Sequence, residues 1–565
     1  MISIITVFLL NSCAENIVVS KSGIVDYVAP LAYEQCDSKT AVIGEGIILI
    51  GAQAFTGCSN LHTVTFPSTL EIIKNSAFIL CTSLVSVVIP EGVTTIENSA
   101  FRACTALVSI SLPSTLVDIG TVVFQDGVDK LTSIQFPNGN PIFSTAYNMI
   151  YTNTTLVMCS NAVTQITWWP DVTILKSHCF VYCKLIGSIT FPSTLTTLES
   201  RSLYFMSSLI SFELGESIIS FSENTIENCL NLQAIYVASN NPNYQSSDGV
   251  LFTKNLEELY FYPISKPGTT YTIPANTKTI SKIAFSNVVE LERFEVSSGN
   301  TVFTASNGVL YSQDMKTLYR VAPKVSSFTI PNGIVTLAAG AFYTCMITQI
   351  SFPSSVENIE SSVFYYTQIN THITIPETVK NIGALAFFSN ILVPSISVNC
   401  KLTVLESGIF LSCREMTTIT LPNTIVKISS EAFYNCIKLV NINIPSSLIH
   451  IGDNAFYFCV SLPNIVFPET LLSIGASAFE SCIAFTSLTI PASVKYIPAL
   501  AFSTCTNTKI VTFESCNTEY HSSAFYSIPD FSQPICVSSK TFTASISIKP
   551  VIRSILLLYT FFLDG

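Results

Sequence analysis

The sequence predicts an α/β solenoid: a right-handed coil of short parallel strands joined by short turns or single helical turns, about 23 residues to each coil. Three observations predict it. A proline recurs every 23 residues, at Pro67, Pro90 and Pro113 and again at Pro422, Pro445, Pro468 and Pro491. An aromatic beat runs at the same period, through Phe55, Phe78, Phe101 and Phe124 and then from Phe364 through Phe387, Phe410, Phe433, Phe456, Phe479 and Phe502 to Phe525. The third observation is composition. Apolar residues make up 48% and charged residues 11% of the 565, yet the apolar residues fall in short beats. A membrane helix needs about 20 in succession, so the hydrophobicity belongs to a stacked core.

Each element of the coil follows from the composite I-x-x-x-A-F-x-x-C-x-x-L-x-x-I-x-I-P-x-x-L-x-x-I, nearly complete from Ile451 to Ile474. In Leu439-Val440-Asn441-Ile442-Asn443-Ile444 the apolar residues alternate as a half-buried strand requires, with Asn441 and Asn443 outward. Pro445 ends that strand, and Leu448 and Ile451 turn the chain back. Gly452-Asp453-Asn454-Ala455-Phe456 then forms a short turn or a single helical turn that inserts Phe456 into the interior. One such coil cannot bury its apolar face alone. Stacked copies can, with strands pairing at about 4.8 Å. With Tyr33, Leu203 and Ile226 as substituted beats there are 18 anchors from Tyr33 to Phe525.

Three units are longer than the rest and hold one inserted block each, near 137–160, 240–263 and 298–323. Tyr244 to Phe252 matches Phe303 to Tyr311, and Phe143 to Tyr151 is a worn copy. Asp248-Gly249 and Asn307-Gly308 predict β-hairpins, because both turn positions want positive φ. The repeat region is expected over 15–528. Residues 1–14, with an apolar run from Ile2 to Leu10, read as a weak signal segment, and 529–565 as a C-terminal cap or tail.

The composition excludes several functions. A net charge of −11, from 26 basic and 37 acidic residues, lacks the footprint of a nucleic-acid binder. Five histidines and no P-loop, dinucleotide-binding glycines, G-x-S-x-G or H-E-x-x-H argue against an enzyme or a cofactor. Twelve of the 18 cysteines stand three residues after an anchor: Cys36, Cys58, Cys81, Cys104, Cys183, Cys229, Cys345, Cys413, Cys436, Cys459, Cys482 and Cys505. Their side chains should point in parallel, whereas a disulfide needs converging Cβ vectors. They read as a buried ladder of free thiols, since Gly127, Met206, Thr367 and Asn390 replace them elsewhere. No metal site is expected. His178-Cys179 with Cys183 has a zinc-like spacing, but no second ligand pair follows.

The candidate ligand-binding residues are the outward strand positions Thr63, Thr65, Ser86, Ser109, Ser111, Thr418, Thr420, Asn441, Asn443, Ser487 and Thr489. They would form ladders of short uncharged groups, either a contact surface for a macromolecule or a merely solvated sheet. Trp168 aligns with Thr272, so Trp169 takes the inward place and Trp168 the outward one. An exposed indole there would anchor a partner; packing under the hairpin insert is the alternative. Asn153-Thr154-Thr155 is the one glycosylation sequon, which excludes heavy N-glycosylation.

A 23-residue unit with the signature A-F-x-x-C-x-x-L-x-x-I-x-I-P, spanning Tyr33 to Phe525, resembles the BspA-like leucine-rich repeat proteins of bacteria and protists. The resemblance implies a leucine-rich repeat solenoid with no catalytic residues, displayed on the cell surface or secreted. Its implied partner is a protein of the extracellular matrix or of another cell. The alternatives are a cytoplasmic protein-interaction scaffold and a degenerate member without a ligand.

Overall fold

The computed structural model describes residues 16–19, 27–28, 32–33, 35–222, 224–528 and 534–536. The expected leader over 1–14 lies outside the described residues, as does 529–565 apart from 534–536. The chain divides into two compact units, residues 1–290 with 296–301 and residues 291–295 with 302–565.

Both units are β-solenoids of parallel strands. The strand expected before the repeated proline forms a front sheet in most coils, though none is formed before Pro331, Pro353 or Pro468. In the first unit Ser86–Val88, Ser109–Ser111 and Ser133–Gln135 pair in parallel, residue 23 or 24 on residue. In the second unit Ile373–Ile375, Ser395–Val398, Thr418–Thr420 and Asn441–Ile442 do the same. Along Thr63–Thr65 the middle residue is buried and its neighbours are exposed, as alternation demands. The coil also holds a second strand that alternation did not announce. Ile451, read as a turn residue, belongs to His450–Ile451, which pairs with Lys427–Ile428 and Ser473–Ile474 in a back sheet. A two-residue strand is too short to show a period, so only its stacking defines it.

The anchor turn makes a third face, and it is not helical. The only helical element among the described residues is the 3₁₀ turn Lys254–Leu256, so of the expected short turns or single helical turns the short turn is what forms, and the α part of the α/β label is almost absent. The cause is backbone geometry. Residues two before and two after the anchor sit in the left-handed region, as at Ser76 and Leu80 around Phe78 (φ 56° and 63°) and Asn454 and Phe458 around Phe456 (54° and 59°). Each such residue costs roughly 1 kcal/mol. The conformation directs alternate N–H groups toward the next coil: Ser76, Phe78 and Leu80 donate to the carbonyls of Asn98, Ala100 and Arg102 at 2.9, 2.8 and 2.9 Å. The N–H groups between them, of Ala77, Ile79 and Cys81, close local turns on Lys74, Ser76 and Phe78. No donor of this face is wasted.

Between the three faces the anchors stack ring on ring. Tyr33, Phe55, Phe78, Phe101 and Phe124 lie 4.8 to 5.7 Å apart in the first unit. The eight rings from Phe342 to Phe502 and on to Phe525 continue at 5.0 to 5.7 Å in the second. Leu203 and Ile226 replace rings and are buried.

The inserts are three-stranded. Hairpins pair Tyr244–Ser247 with Val250–Thr253, Phe303–Ser306 with Val309–Ser312, and Ser144–Ala146 with Met149–Tyr151. Both turn residues have positive φ in all three, including Tyr147 and Asn148 of the worn copy. Gly308 is required twice over, because a Cβ there would also sit 2.7 Å from the Arg293 Cβ. A third strand, unforeseen, returns antiparallel and then joins the back sheet, as Thr317–Arg320 does with Thr336–Leu337. One asparagine ties each insert to the coil before it. Asn241 Nδ2 donates to the Gly215 and Ile218 carbonyls while its Oδ1 accepts from the N–H groups of Asn243 and Tyr244. Asn140 and Asn300 hold equivalent carbonyls. All three stand three residues before the first aromatic of the hairpin, a signal present in the sequence and overlooked.

On the returning strand Met158, Phe261 and Arg320 occupy equivalent places, each buried. Burial lowers the Arg320 pKa to about 10; its Nη1 donates to the Gly340 carbonyl and its guanidinium lies 5.7 Å from the Tyr343 ring centre. Because the fold accepts methionine at this place in another insert, Arg320→Met should be neutral or stabilising in thermal unfolding. A loss above about 2 kcal/mol would show that the guanidinium organises the insert. Phe456→Ala should cost about 3–5 kcal/mol, with hydrogen exchange rising in the coils anchored at Phe433 and Phe479 and unchanged farther along the second unit.

Candidate interaction surfaces and the cysteine ladder

The front-sheet candidates stand where alternation put them. Thr63, Thr65, Ser86, Thr420, Asn441, Asn443 and Thr489 are exposed, and Ser109, Ser111, Thr418 and Ser487 are half-buried. Register brings some of them together: Ser86 pairs with Ser109, and Thr418 with Asn441, whose Nδ2 donates to the Thr418 Oγ1 at 3.4 Å. The hairpin tips segment this face, since Ile235 N–H donates to the Gly249 carbonyl at 2.8 Å.

Two candidates have structural work instead. Asn443 spends its amide on the neighbouring backbone, accepting from Leu421 N–H and donating to the Leu421 carbonyl, both at 2.7 Å. The next coil explains why. Pro463 offers no N–H, no strand forms there, and Asn464 binds the N–H groups of Thr486 and Ser487 through Oδ1 at 2.7 and 3.1 Å. Asn443 thus ties its coil to the preceding one and Asn464 ties its coil to the following one, on either side of the break. Trp168 is the second correction. Its indole is half-buried, with Nε1 donating to the Thr190 carbonyl at 2.6 Å and the ring set edgewise on anchor Phe180 at 6.1 Å. The indole rests on Phe180 and Phe191, and it is Trp169 that lies beside Tyr151 of the insert.

The back sheet of the second unit offers a surface that strand alternation did not reveal. Thr336, Asn358 and Asn381 form one outward row, each preceding a buried aliphatic residue. Asn381 Nδ2 donates to Asn358 Oδ1 at 3.0 Å, and Lys380 pairs with Glu357 at 2.7 Å. Thr336, Asn358, Lys380 and Asn381, with Glu360 and Thr403, line a groove of about 650 Å³. Its floor includes Gly383, where a Cβ would meet Ser361 N at 2.5 Å. The repeated polar residue before the second isoleucine was its sequence signal.

The cysteine ladder is a row of donors as well as packing groups. Cys81, Cys436, Cys459, Cys482 and Cys505 each direct the thiol at the anchor carbonyl of the preceding coil, at 3.1 to 3.2 Å. Asn390, which replaces a ladder cysteine, sends its Nδ2 to the equivalent Phe364 carbonyl. The free-thiol expectation fails at the first rung, where Cys36 and Cys58 form a disulfide with Cα atoms 4.5 Å apart. Interior thiols also lie beside one another, as Cys81 does beside Cys104 and Cys159 beside Cys183, yet stay free, while half-buried Cys36 at the start of the series is joined to Cys58. Cys516, off the ladder, is also disulfide-bonded. The zinc-like trio disperses: His178 Nδ1 meets Ser177 Oγ at 2.8 Å, Cys179 points to the Ser202 carbonyl and Cys183 to that of Cys159.

Thirteen described cysteines are free and buried. Burial pushes Cys229, Cys345, Cys413, Cys459 and Cys505 up to about 12, whereas an unfolded thiol ionises near roughly 8.5. The unfolded chain therefore releases these protons first. The ladder's full contribution to stability holds below about pH 8.5 and declines as pH rises toward about 12. Alkylation at pH 8 should leave these thiols unmodified in the native protein and modify them after denaturation, and mild reduction should free Cys36 and Cys58 without loosening the interior coils. Reaction of Cys459 in the native state would contradict the burial seen here.

Residues 27–156, 152–266, 252–320, 314–440 and 426–545 match the model of the BspA type leucine-rich repeat region. No curated protein matches in sequence. Among solved structures, a leucine-rich repeat protein from Eubacterium ventriosum is 19% identical, covering 79% of this chain and 83% of its own, with a TM-score of 0.30. One from Bacteroides ovatus is 16% identical, covering 93% and 92%, with a TM-score of 0.30. The pneumococcal vaccine antigen PcpA is 18% identical over 76% and 89%, with a TM-score of 0.25. With nearly every coil inside a matched segment, the chain belongs to the BspA-type leucine-rich repeat family.

Proposed function

We propose that this chain is a non-catalytic binding protein, displayed at the cell surface or secreted, that holds a protein partner on its outward sheet rows. The groove at Thr336, Asn358 and Asn381 carries the reading: it is a concavity edged by amide and hydroxyl groups at a repeated spacing. An extended partner meets the same chemistry at each rung, as repeat surfaces allow. Charges beside the rows are paired from coil to coil, as in Lys380–Glu357 and Lys438–Glu415 at 2.7 and 2.6 Å. Hydrogen bonding and shape then decide binding more than net charge does. The Cys36–Cys58 disulfide supports an oxidising compartment, and a neighbour described as a pneumococcal vaccine antigen is in keeping with surface display.

The full chain used as bait against cell-surface and matrix proteins should retain a partner. Asn381→Lys with Asn358→Lys should then weaken it at least tenfold, about 1.4 kcal/mol, while Thr418→Lys with Thr420→Lys on the front sheet should matter less. The reverse ranking would move the site to the front rows. Protease treatment of intact cells should remove the protein from a surface location, and full protection would favour the cytoplasmic scaffold.

A further inference from the structure

Asn153-Thr154-Thr155 sits in the link between the strands Met149–Tyr151 and Thr155–Cys159 of the first insert. The link is tightly built. Thr152 N–H donates to the Thr155 carbonyl at 2.9 Å, Thr155 N–H donates to the Thr152 Oγ1 at 3.2 Å, and the Thr154 carbonyl accepts from Thr173 N–H at 2.7 Å. Asn153 and Thr154 are exposed. Among the described residues the Asn153 side chain has no hydrogen-bond partner, although asparagines elsewhere in this fold staple inserts and bridge coils. The corresponding links are secured by their side chains: Asp314 accepts from Ser312 Oγ at 2.6 Å and from Lys316 N–H at 3.1 Å, and Lys254 Nζ donates to the Asn241 carbonyl at 2.7 Å. The amide of Asn153 therefore does nothing for the fold that the structure shows.

Its sequence setting is equally distinct. Of 35 asparagines in a chain rich in serine and threonine, only Asn153 precedes a hydroxyl residue by two positions. Asn441 lies on a sheet row and Asn140, Asn241 and Asn300 clamp backbone, so a sugar on any of these would block a surface or break a staple. The link at Asn153 is exposed and immediately precedes the strand Thr155–Cys159, which joins the back sheet of the first unit.

We infer that Asn153 is an N-linked glycan acceptor. The inference rests on the surface-or-secreted reading, because the modification belongs to the secretory pathway. In the step, the amide nitrogen bonds to the anomeric carbon of an oligosaccharide carried on a polyprenyl diphosphate. The bond from that carbon to the diphosphate oxygen breaks, the amide loses one proton to a base, and the polyprenyl diphosphate leaves. The Thr155 hydroxyl is the recognition group.

The test is the full chain with its own N-terminus, produced in a secreting eukaryotic cell. Peptide N-glycosidase in heavy-oxygen water should convert Asn153 to isotope-tagged aspartate and raise electrophoretic mobility by the equivalent of one glycan. Asn153→Gln and Thr155→Val should abolish that shift, and Thr155→Ser should retain it. Chain found in the medium with Cys36 linked to Cys58 and an unmodified Asn153 would overturn the glycan and leave the compartment reading standing. Chain held in the cytosol with Cys36 open to alkylation and Asn153 unmodified would overturn both.

Discussion

The rest of the structure depends on a spacing constraint: successive coils hydrogen-bond to one another on three faces, so each rung lies about one strand separation, roughly 4.8 Å, from the next. The anchor turn is the least familiar of the three. Its left-handed residues, such as Ser76 and Leu80, send three N–H groups per coil into the following coil. A helical turn would have kept those donors within the coil. Once the rungs are set this way, equivalent side chains must touch equivalent side chains, and aromatic rings at 4.8 to 5.7 Å stack from Tyr33 to Phe124 in the first unit and from Phe342 to Phe525 in the second.

That constraint gives the cysteines their role. A residue three positions past the anchor fits the column best when it is small, apolar in bulk and able to donate toward a carbonyl already shared with a turn, although Gly127 and Met206 occupy the place without a side-chain donor. Cys436 and Cys459 meet all three demands, and Asn390 meets the last by a stronger donor. Burial raises the pKa of thiols such as Cys81 and Cys436 and so keeps them in the unreactive protonated form even where neighbouring rungs touch. The oxidised pair at Cys36 and Cys58 belongs to the start of the stack. A thiol-rich interior and a stapled first coil are thus compatible in one fold.

The same constraint shapes what the protein presents outward. Rows of threonine, serine and asparagine repeat from coil to coil, and the inserts divide them into segments. On either side of the break beside Pro463, Asn443 clamps the backbone of the preceding coil and Asn464 that of the following one. Those two residues resemble contact groups in sequence and serve continuity in space. The back-sheet row at Asn358 and Asn381 is free of that duty toward the backbone and borders a groove.

Periodicity by itself determined the coil length, the inward set and the order of the stack, because a residue repeated every 23 positions has to occupy one column when copies pack. It determined the hairpins too, since Asp248-Gly249 and Asn307-Gly308 carry their turn in their own dihedral preferences. Only the tertiary structure decided the second sheet, the non-helical anchor face and the returning strand of each insert. These elements are two to five residues long and draw their definition from hydrogen bonds to other coils. It also decided that Trp168 packs on Phe180 and that Asn443 clamps Leu421. Whether a polar or aromatic side chain faces a partner or its own backbone depends on which atoms the adjacent coil leaves unpaired, and no window along one coil contains them.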